Sequence, residues 1–148
     1  MTLGLIDLIS YLGLAVLLFF MTRVRSLERI RIRIDGAEVS GVILNCKFSL
    51  STRVGLLNTP ALAMGDGILL IGASSIHTMG MHFPIDLIFI DERKRVVGWQ
   101  SQVLPGHHKI KGPFVTKYIL ELGPGTINRD LPNIKLNAQA EVEPWIQA

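Results

Sequence analysis

The fold is decided by the stretch Glu28–Ile34, which reads ERIRIRI. Isoleucines stand at its even positions from 30 to 34, and arginines stand at its odd positions from 29 to 33. Because successive side chains of a strand point to opposite faces, this period of two predicts a β-strand with one buried apolar face and one solvated charged face. The pair Asp35-Gly36 follows at once and favours a hairpin turn.

Short apolar segments separated by turn residues continue from there to the C-terminus. We predict further strands at residues 38–45, 67–71, 74–81, 85–90, 96–103, 114–122 and 134–142. The segment Phe48–Leu57 is ambiguous between a short helix and a loop. In the strand at 85–90 we expect Ile88 and Ile90 to point into the core. Strands of this length and spacing are typical of a compact antiparallel sandwich or barrel, so the sequence predicts a mainly β domain.

The chain begins with an apolar segment that is long enough to cross a bilayer. Leu3–Met21 carries one charge, Asp7, and as a helix it would be roughly 28 Å long. Its basic flank follows it, the reverse of a secretory signal peptide, and consists of Arg23, Arg25, Arg29, Arg31 and Arg33. We therefore predict one uncleaved transmembrane α-helix at residues 1–22, with the N-terminus outside and the remaining chain on the cytoplasmic side. Asp7 then lies at the outer interface or contacts a partner helix, and we favour the interface.

The sequence thus divides into a transmembrane anchor at 1–22, a basic juxtamembrane segment with the first strand at 23–37, and a β domain at 38–148. The arginines of the basic segment are expected to contact lipid headgroups or a partner. Small residues in the anchor offer close packing to a membrane-protein partner, and they are Gly4, Gly13 and Ala15. No recognition helix or aromatic stacking motif points to nucleic acid. Cys46 is the one cysteine, which excludes an intramolecular disulfide and fits a reducing compartment.

The densest group of polar residues is SSIHTMGMHFPID at residues 74–86. On a strand, three of its side chains would share one face and could bind a soft metal such as Cu(I); these are His77, Met79 and Met81. Methionine also fills cores, and we favour the interpretation in which the two methionines are buried and His77 bonds the backbone. No metal or cofactor is therefore expected.

His77 is also a candidate catalytic residue. Together with Asp86 or Glu121 it could form a general acid–base pair. No nucleophile with a diagnostic spacing accompanies it, so the sequence assigns no reaction.

Two further motifs have a plain and a functional interpretation. The pair His107-His108 is expected in a solvated loop, because adjacent histidines point opposite ways on a strand and joint metal binding would need a bent loop. The run Gly123–Thr126 is similar to a phosphate loop, but it lacks a following lysine and a helix start. We therefore predict a tight turn there.

Several motifs follow one another in order along the chain. They are Arg53 with Gly55-Leu56-Leu57, then Gly67-Ile68-Leu69-Leu70, SSIHTMGMHFPIDLIFID at 74–91, Val96-Val97, Leu104-Pro105 and YILELGPGT at 118–126. In this order they resemble the family called domain of unknown function 192, over about residues 38–142. The resemblance implies a compact, mainly β fold and no reaction, because none is established for that family. The chain departs from the family pattern at Ala73, where cysteine is frequent, and at Asn137-Ala138, where Gly-Asp is usual.

The expected function is binding. The anchor, its basic flank and the lack of a diagnostic catalytic motif indicate a membrane-anchored accessory or binding domain, docked on a larger membrane complex or holding a small ligand at the bilayer. The alternative is a small enzyme or metal-dependent site centred on His77. An enzyme requires an open polar pocket where His77 meets a carboxylate, whereas an accessory subunit requires an exposed apolar surface.

Overall fold

Residues 28–46, 56 and 60–144 are described by the structure, which is a computed structural model. Within them the chain forms ten strands and one short helix. The elements are β1 Glu28–Ile34, β2 Ala37–Glu38, β3 Ile43–Cys46, β4 Gly67–Ile71, β5 Ser75–Ile76, β6 Ile85–Asp91, β7 Val96–Val103, β8 Ile110–Lys111, β9 Thr116–Leu122, helix α1 Thr126–Asp130 and β10 Ala140–Pro144.

One curled, half-barrel sheet dominates the fold, so the predicted mainly β class is confirmed. Its strands follow the order β10-β1-β3-β4-β9-β6-β7, and β2 pairs with β1 beside this path. Strands β5 and β8 form a separate two-stranded ribbon. The expectation of purely antiparallel pairing is wrong for β3 and β4, which run parallel. A parallel pair needs a long crossover connection, and the chain between residues 46 and 67 supplies it.

The sheet buries side chains on both faces. On one face lies the core against which α1 packs, here called the helix-side core, and it contains Ile88 and Ile90 as predicted. On the other face lies the ribbon-side core, covered by Ile76 and Ile110 of the ribbon. Strand β6 is buried along its whole length because it contributes to both cores.

The strand bounds agree with the sequence where the period is clear and differ where distant contacts intervene. Strands β1, β4 and β7 have the predicted bounds. The predicted strand at 38–45 is interrupted, because Gly41 lies against the backbone of Gly65, where an added Cβ would be 2.2 Å from the carbonyl carbon. The predicted strands at 74–81 and 134–142 are wrong over most of their length, since only Ser75–Ile76 and residues from Ala140 onward pair.

The part of the chain that the structure describes contains no helix long and apolar enough to cross a membrane. The predicted anchor at residues 1–22 lies outside the described residues, together with Arg23, Arg25 and the packing positions Gly4, Gly13 and Ala15.

Candidate functional site

Asp86, one of the two carboxylates predicted as a partner of His77, is fully buried in β6. Its Oδ1 accepts a hydrogen bond of 2.9 Å from the Gln102 N–H, and its Oδ2 accepts one of 2.9 Å from the Ile127 N–H. Gln102 has a left-handed backbone, with φ of 56°. Both carboxylate oxygens therefore hold backbone groups, and Asp86 ties the irregular end of β7 to the first turn of α1.

Glu121, the second predicted carboxylate, faces the ribbon-side core from β9. It lies between Ile68 of β4 and Leu87 of β6 in the strand register, and it is 5% exposed. Within residues 28–46, 56 and 60–144 its carboxyl group has no hydrogen-bond or ion-pair partner. Burial raises its pKa to about 7. Glu121 is therefore a carboxyl group that can hold or release a proton near neutral pH.

The two carboxylates lie on opposite faces of the sheet. Asp86 is opposite Leu122, whereas Glu121 is opposite Leu87, one step along the same ladder. Because consecutive side chains of a strand alternate in direction, Asp86 points to the helix side and Glu121 to the ribbon side. They cannot act together on one substrate.

His77 lies outside both cores and is exposed. Strand β5 ends at Ile76, so the expected strand face shared by His77, Met79 and Met81 does not form; Met79 is exposed and Met81 is buried. In the described part of the chain no hydrogen bond or ion pair joins His77 to Asp86 or Glu121.

The residue next to His77 has a structural task. Thr78 is fully buried, and its N–H donates to the His107 carbonyl at 2.9 Å. Its hydroxyl donates to the Leu104 carbonyl at 2.9 Å and accepts from the His107 N–H at 3.0 Å. These bonds hold together two loops that carry every histidine of the chain, all of them exposed, namely His77, His82, His107 and His108. Among the residues described, no three His, Cys, Asp or Glu side chains are placed to hold a metal ion.

The arginine face of β1 is solvated, as predicted, but acids lie beside it. Arg31 pairs with Glu38 at 3.1 Å, and Arg33 pairs with Glu38 at 3.7 Å and Glu143 at 3.6 Å. Neighbouring strands β2 and β10 supply these acids. Local pairing therefore balances part of the charge that was expected to meet lipid headgroups or a partner, while Arg29 is exposed at the start of the strand.

A cleft of about 380 Å³ lies beside the turn after β1, lined in part by Ile34, Arg129, Asp130 and Ile134. Its charged groups bind one another, since Arg129 donates to Asp130 at 2.8 Å and Asp130 accepts the Ser40 N–H at 3.0 Å. The hydrogen bond from Arg129 lowers the pKa of Asp130 to about 2. The hydrogen bonds from the Ser40 N–H and hydroxyl to Asp130 tie α1 to the loop after β2.

Two apolar surface features were missed by the sequence reasoning. Trp99 lies in the middle of edge strand β7 and is 36% exposed. Phe114 is fully exposed and Val115 is 58% exposed in a turn that was predicted as the start of a strand, whereas β9 begins at Thr116. The signal for that turn was present, because Gly112-Pro113 precedes two consecutive apolar residues that break the period of two.

The buried strands of a curled half-barrel define a small, mainly β domain. Comparison with known proteins shows the family to which this domain belongs. Residues 38–136 match the family DUF192, described as Uncharacterized ACR, and the chain belongs to this family. The predicted resemblance is thereby confirmed.

Two solved structures share the fold. A protein of unknown function from Novosphingobium aromaticivorans is 19% identical, with a TM-score of 0.66 over 78% of this chain and 86% of that one. A candidate transcription regulator from Sinorhizobium meliloti is 20% identical, with a TM-score of 0.67 over 79% of this chain and 95% of that one. No curated protein matches the chain.

Proposed function

We propose that this protein is a membrane-anchored binding domain that docks as an accessory subunit on a larger membrane complex. Residues 1–22 hold it in the bilayer with the β domain on the cytoplasmic side. The free edge of β7 is the docking surface, where a strand of the partner adds to the sheet.

The edge of β7 carries the proposal. Strand β7 pairs with β6 on one side. On its other side, within the described residues, only its first residue is covered: Val96 exchanges hydrogen bonds with Asn137 and Ala138, at 2.8 and 2.9 Å. From Val97 onward the backbone edge is open there, and residues 99–102 are exposed. An open edge presents unpaired N–H and C=O groups that a partner strand can use.

The sequence of β7 leaves this edge without the usual protection. Edge strands commonly carry charged residues or proline that prevent pairing with other chains. Strand β7 reads VVGWQSQV and contains neither. Trp99 in its centre supplies the kind of large, rigid side chain that dominates protein interfaces. An uncharged open edge around an exposed tryptophan supports a role in binding.

The His77-centred enzyme is the less favoured alternative. Such an enzyme needs a carboxylate within hydrogen-bond reach of the imidazole. Asp86 is engaged by two backbone N–H groups, and Glu121 points into the ribbon-side core. No observation in the described residues brings either one to His77.

Co-purification of the tagged full chain with its membrane partner tests the proposal. Replacing residues 3–21 with an unrelated spanning helix should abolish co-purification, because the anchor packs against the partner. Trp99→Asp should also abolish it, since a charge in the middle of the edge opposes burial. His77→Ala should leave the partner bound.

Leu136→Asp is the matched control for Trp99→Asp. Leu136 is also an exposed apolar residue, but it lies in the turn before Asn137, beside the covered first residue of β7 and not along the open part of the strand. If the helix swap and Trp99→Asp both keep the partner while His77→Ala abolishes function in cells, the binding proposal is wrong and the His77 site replaces it.

A further inference from the structure

We propose that the turn formed by residues 113–116 is a second membrane contact, in which Phe114 and Val115 enter the headgroup layer of an anionic bilayer between flanking lysines. This inference rests on the proposed membrane anchoring and adds to it the face of the domain that meets the lipid. The partner is the lipid surface itself, not a protein.

The turn projects its apolar side chains away from the protein. The Thr116 N–H donates to the Pro113 carbonyl at 2.9 Å, which reverses the chain. Gly112 lies so close to Thr116 that an added Cβ would be 2.5 Å from the threonine Oγ1, and it would also be 2.5 Å from the Phe89 ring. The base of the turn is therefore packed, while Phe114 at its tip is fully exposed. The packed base thus holds an exposed aromatic ring and the adjacent exposed Val115 together at the tip of the turn.

The charge around the turn suits an anionic partner. Residues 93–120 contain no Asp or Glu, and their basic residues are Arg93, Lys94, Arg95, Lys109, Lys111 and Lys117. Lys111 and Lys117 are exposed and each lies three residues from Phe114. Apolar side chains between lysines are the pattern of segments that lie at the surface of anionic membranes.

The nearest acids do not cancel this charge. Asp91 at the end of β6 is opposite Thr116, but its Oδ2 accepts a hydrogen bond of 2.8 Å from Arg95. Glu92 is exposed in the same turn, next to Arg93. The excess of positive charge around the turn therefore remains.

The strand register places the turn at the end of the sheet where β1 begins, which is the end from which the predicted anchor leaves. Glu28, the first residue of β1, pairs with Asn45 near the end of β3. Strand β4 runs parallel to β3 and antiparallel to β9, so β9 begins at that same end of the sheet. The first residues of β1 and β9 are separated by three strand spacings, about 15 Å.

The predicted anchor keeps this end of the sheet near the bilayer. Only six Cα steps separate residue 22 from residue 28, and a fully extended chain covers ~20 Å in that number of steps. Because the turn lies at the same end of the sheet as residue 28, it is within reach of the headgroups when the anchor is inserted. The exposed ring, the flanking lysines and the position thus agree.

A fluorescent label on the full chain in vesicles tests the inference. Phe114→Cys is labelled with the polarity-sensitive dye NBD; Cys46 is fully buried and is spared. The control is Leu104→Cys, because Leu104 is 62% exposed and follows the last residue of β7, at the end of the sheet opposite to the turn. In vesicles of phosphatidylglycerol and phosphatidylcholine, the dye at 114 should shift to shorter wavelength and be quenched by nitroxide-labelled lipid. The dye at 104 should do neither.

Charge variants test the lipid preference. In the labelled chain, Lys117→Glu should reduce the blue shift at 114, whereas Lys135→Glu should leave it unchanged because Lys135 pairs with Asp35 in another turn. Vesicles of phosphatidylcholine alone should also reduce the shift. Equal spectra in both kinds of vesicle would overturn the anionic preference.

Failure of this inference and failure of the proposed anchoring are distinguishable. If the chain resists extraction with alkaline carbonate but the dye at 114 is as water-exposed as the dye at 104, the anchor stands and the turn is not a membrane contact. If carbonate removes the chain, the anchoring is wrong, and flotation of the released protein with phosphatidylglycerol vesicles tests the turn alone. Loss of flotation in Phe114→Ser then supports the inference, and unchanged flotation overturns it.

Discussion

Glu121→Gln should change how the stability of the protein depends on pH. Glu121 is buried between Ile68 and Leu87, and this burial raises its pKa to about 7 from the ordinary value of 4.5. Glutamine has nearly the same shape but carries no charge at any pH. The substitution therefore removes the ionisation and leaves the packing of the ribbon-side core in place.

The sign and size of the effect follow from proton linkage. Between pH 4.5 and about 7 the folded protein keeps a proton on Glu121 that the unfolded chain has lost, so the free energy of unfolding falls as the pH rises. At about 1.4 kcal/mol per pH unit, this range corresponds to roughly 3 kcal/mol. The stability that Glu121 allows is complete below pH 4.5, is lost on the way to pH 7 and changes no further above it.

Urea unfolding of the full chain in mild detergent, followed by tryptophan fluorescence at several pH values from 5 to 8, measures the effect. Glu121→Gln should remove most of the fall in unfolding free energy, so the variant gains relative to wild type as the pH rises. Glu92→Gln is the control, because Glu92 is exposed and its replacement should leave the profile unchanged. A Glu121→Gln profile with the same slope as wild type would refute the reasoning, since ionisation of Glu121 would then cost nothing.

Three further outcomes are expected. Ile88→Ala should reduce the free energy of unfolding by roughly 2–5 kcal/mol, because Ile88 is fully buried between Trp99 and Leu120 in the register; a loss under about 0.5 kcal/mol in urea unfolding would contradict this. Asp86→Ala should cost about 1–3 kcal/mol for each of the two N–H groups that it leaves without an acceptor, and unchanged thermal unfolding would show that these bonds contribute nothing. A reporter that is active only after export, fused after Ala148, should stay inactive, and an active fusion would reverse the predicted topology.

The sequence predicts those strands whose pairing follows from a local period. Strand β1 has the predicted bounds because its alternation of isoleucine and arginine satisfies one buried and one solvated face. Strand β6 was found from its apolar run, and Ile88 and Ile90 are buried as expected. In these segments the local sequence pattern and the tertiary packing favour the same strand conformation.

Elements that depend on distant contacts could not be predicted in this way. Helix α1 begins after Gly125, which provides no side-chain cap, and the acceptor for the Ile127 N–H is Asp86, 41 residues away. The predicted tight turn is present at Pro124-Gly125, but the expectation that no helix starts there is wrong. Strand β5 ends at Ile76 because Thr78 bonds to the loop at 104–107, which no pattern around His77 indicates.

The candidate residues and surfaces follow the same distinction. The sequence named Glu121 only as a possible acid–base partner of His77, and its burial follows from the pairing of β9 with β4 and β6. The edge position of β7 could not be predicted, because its composition also suits a central strand and only the strand order decides the matter. The exposure of Phe114 depends on where β9 begins, and the apolar run at 114–122 concealed that boundary.

The central claim is that the open edge of β7 docks on a membrane partner. A photoreactive phenylalanine at position 99 of the full chain, activated in intact membranes, tests it most directly, with position 136 as the control site. The account predicts one discrete cross-linked membrane protein from position 99, none from position 136, and loss of the product when residues 3–21 are replaced. Equal products from both positions, or a product from position 99 that survives the helix replacement, would contradict it.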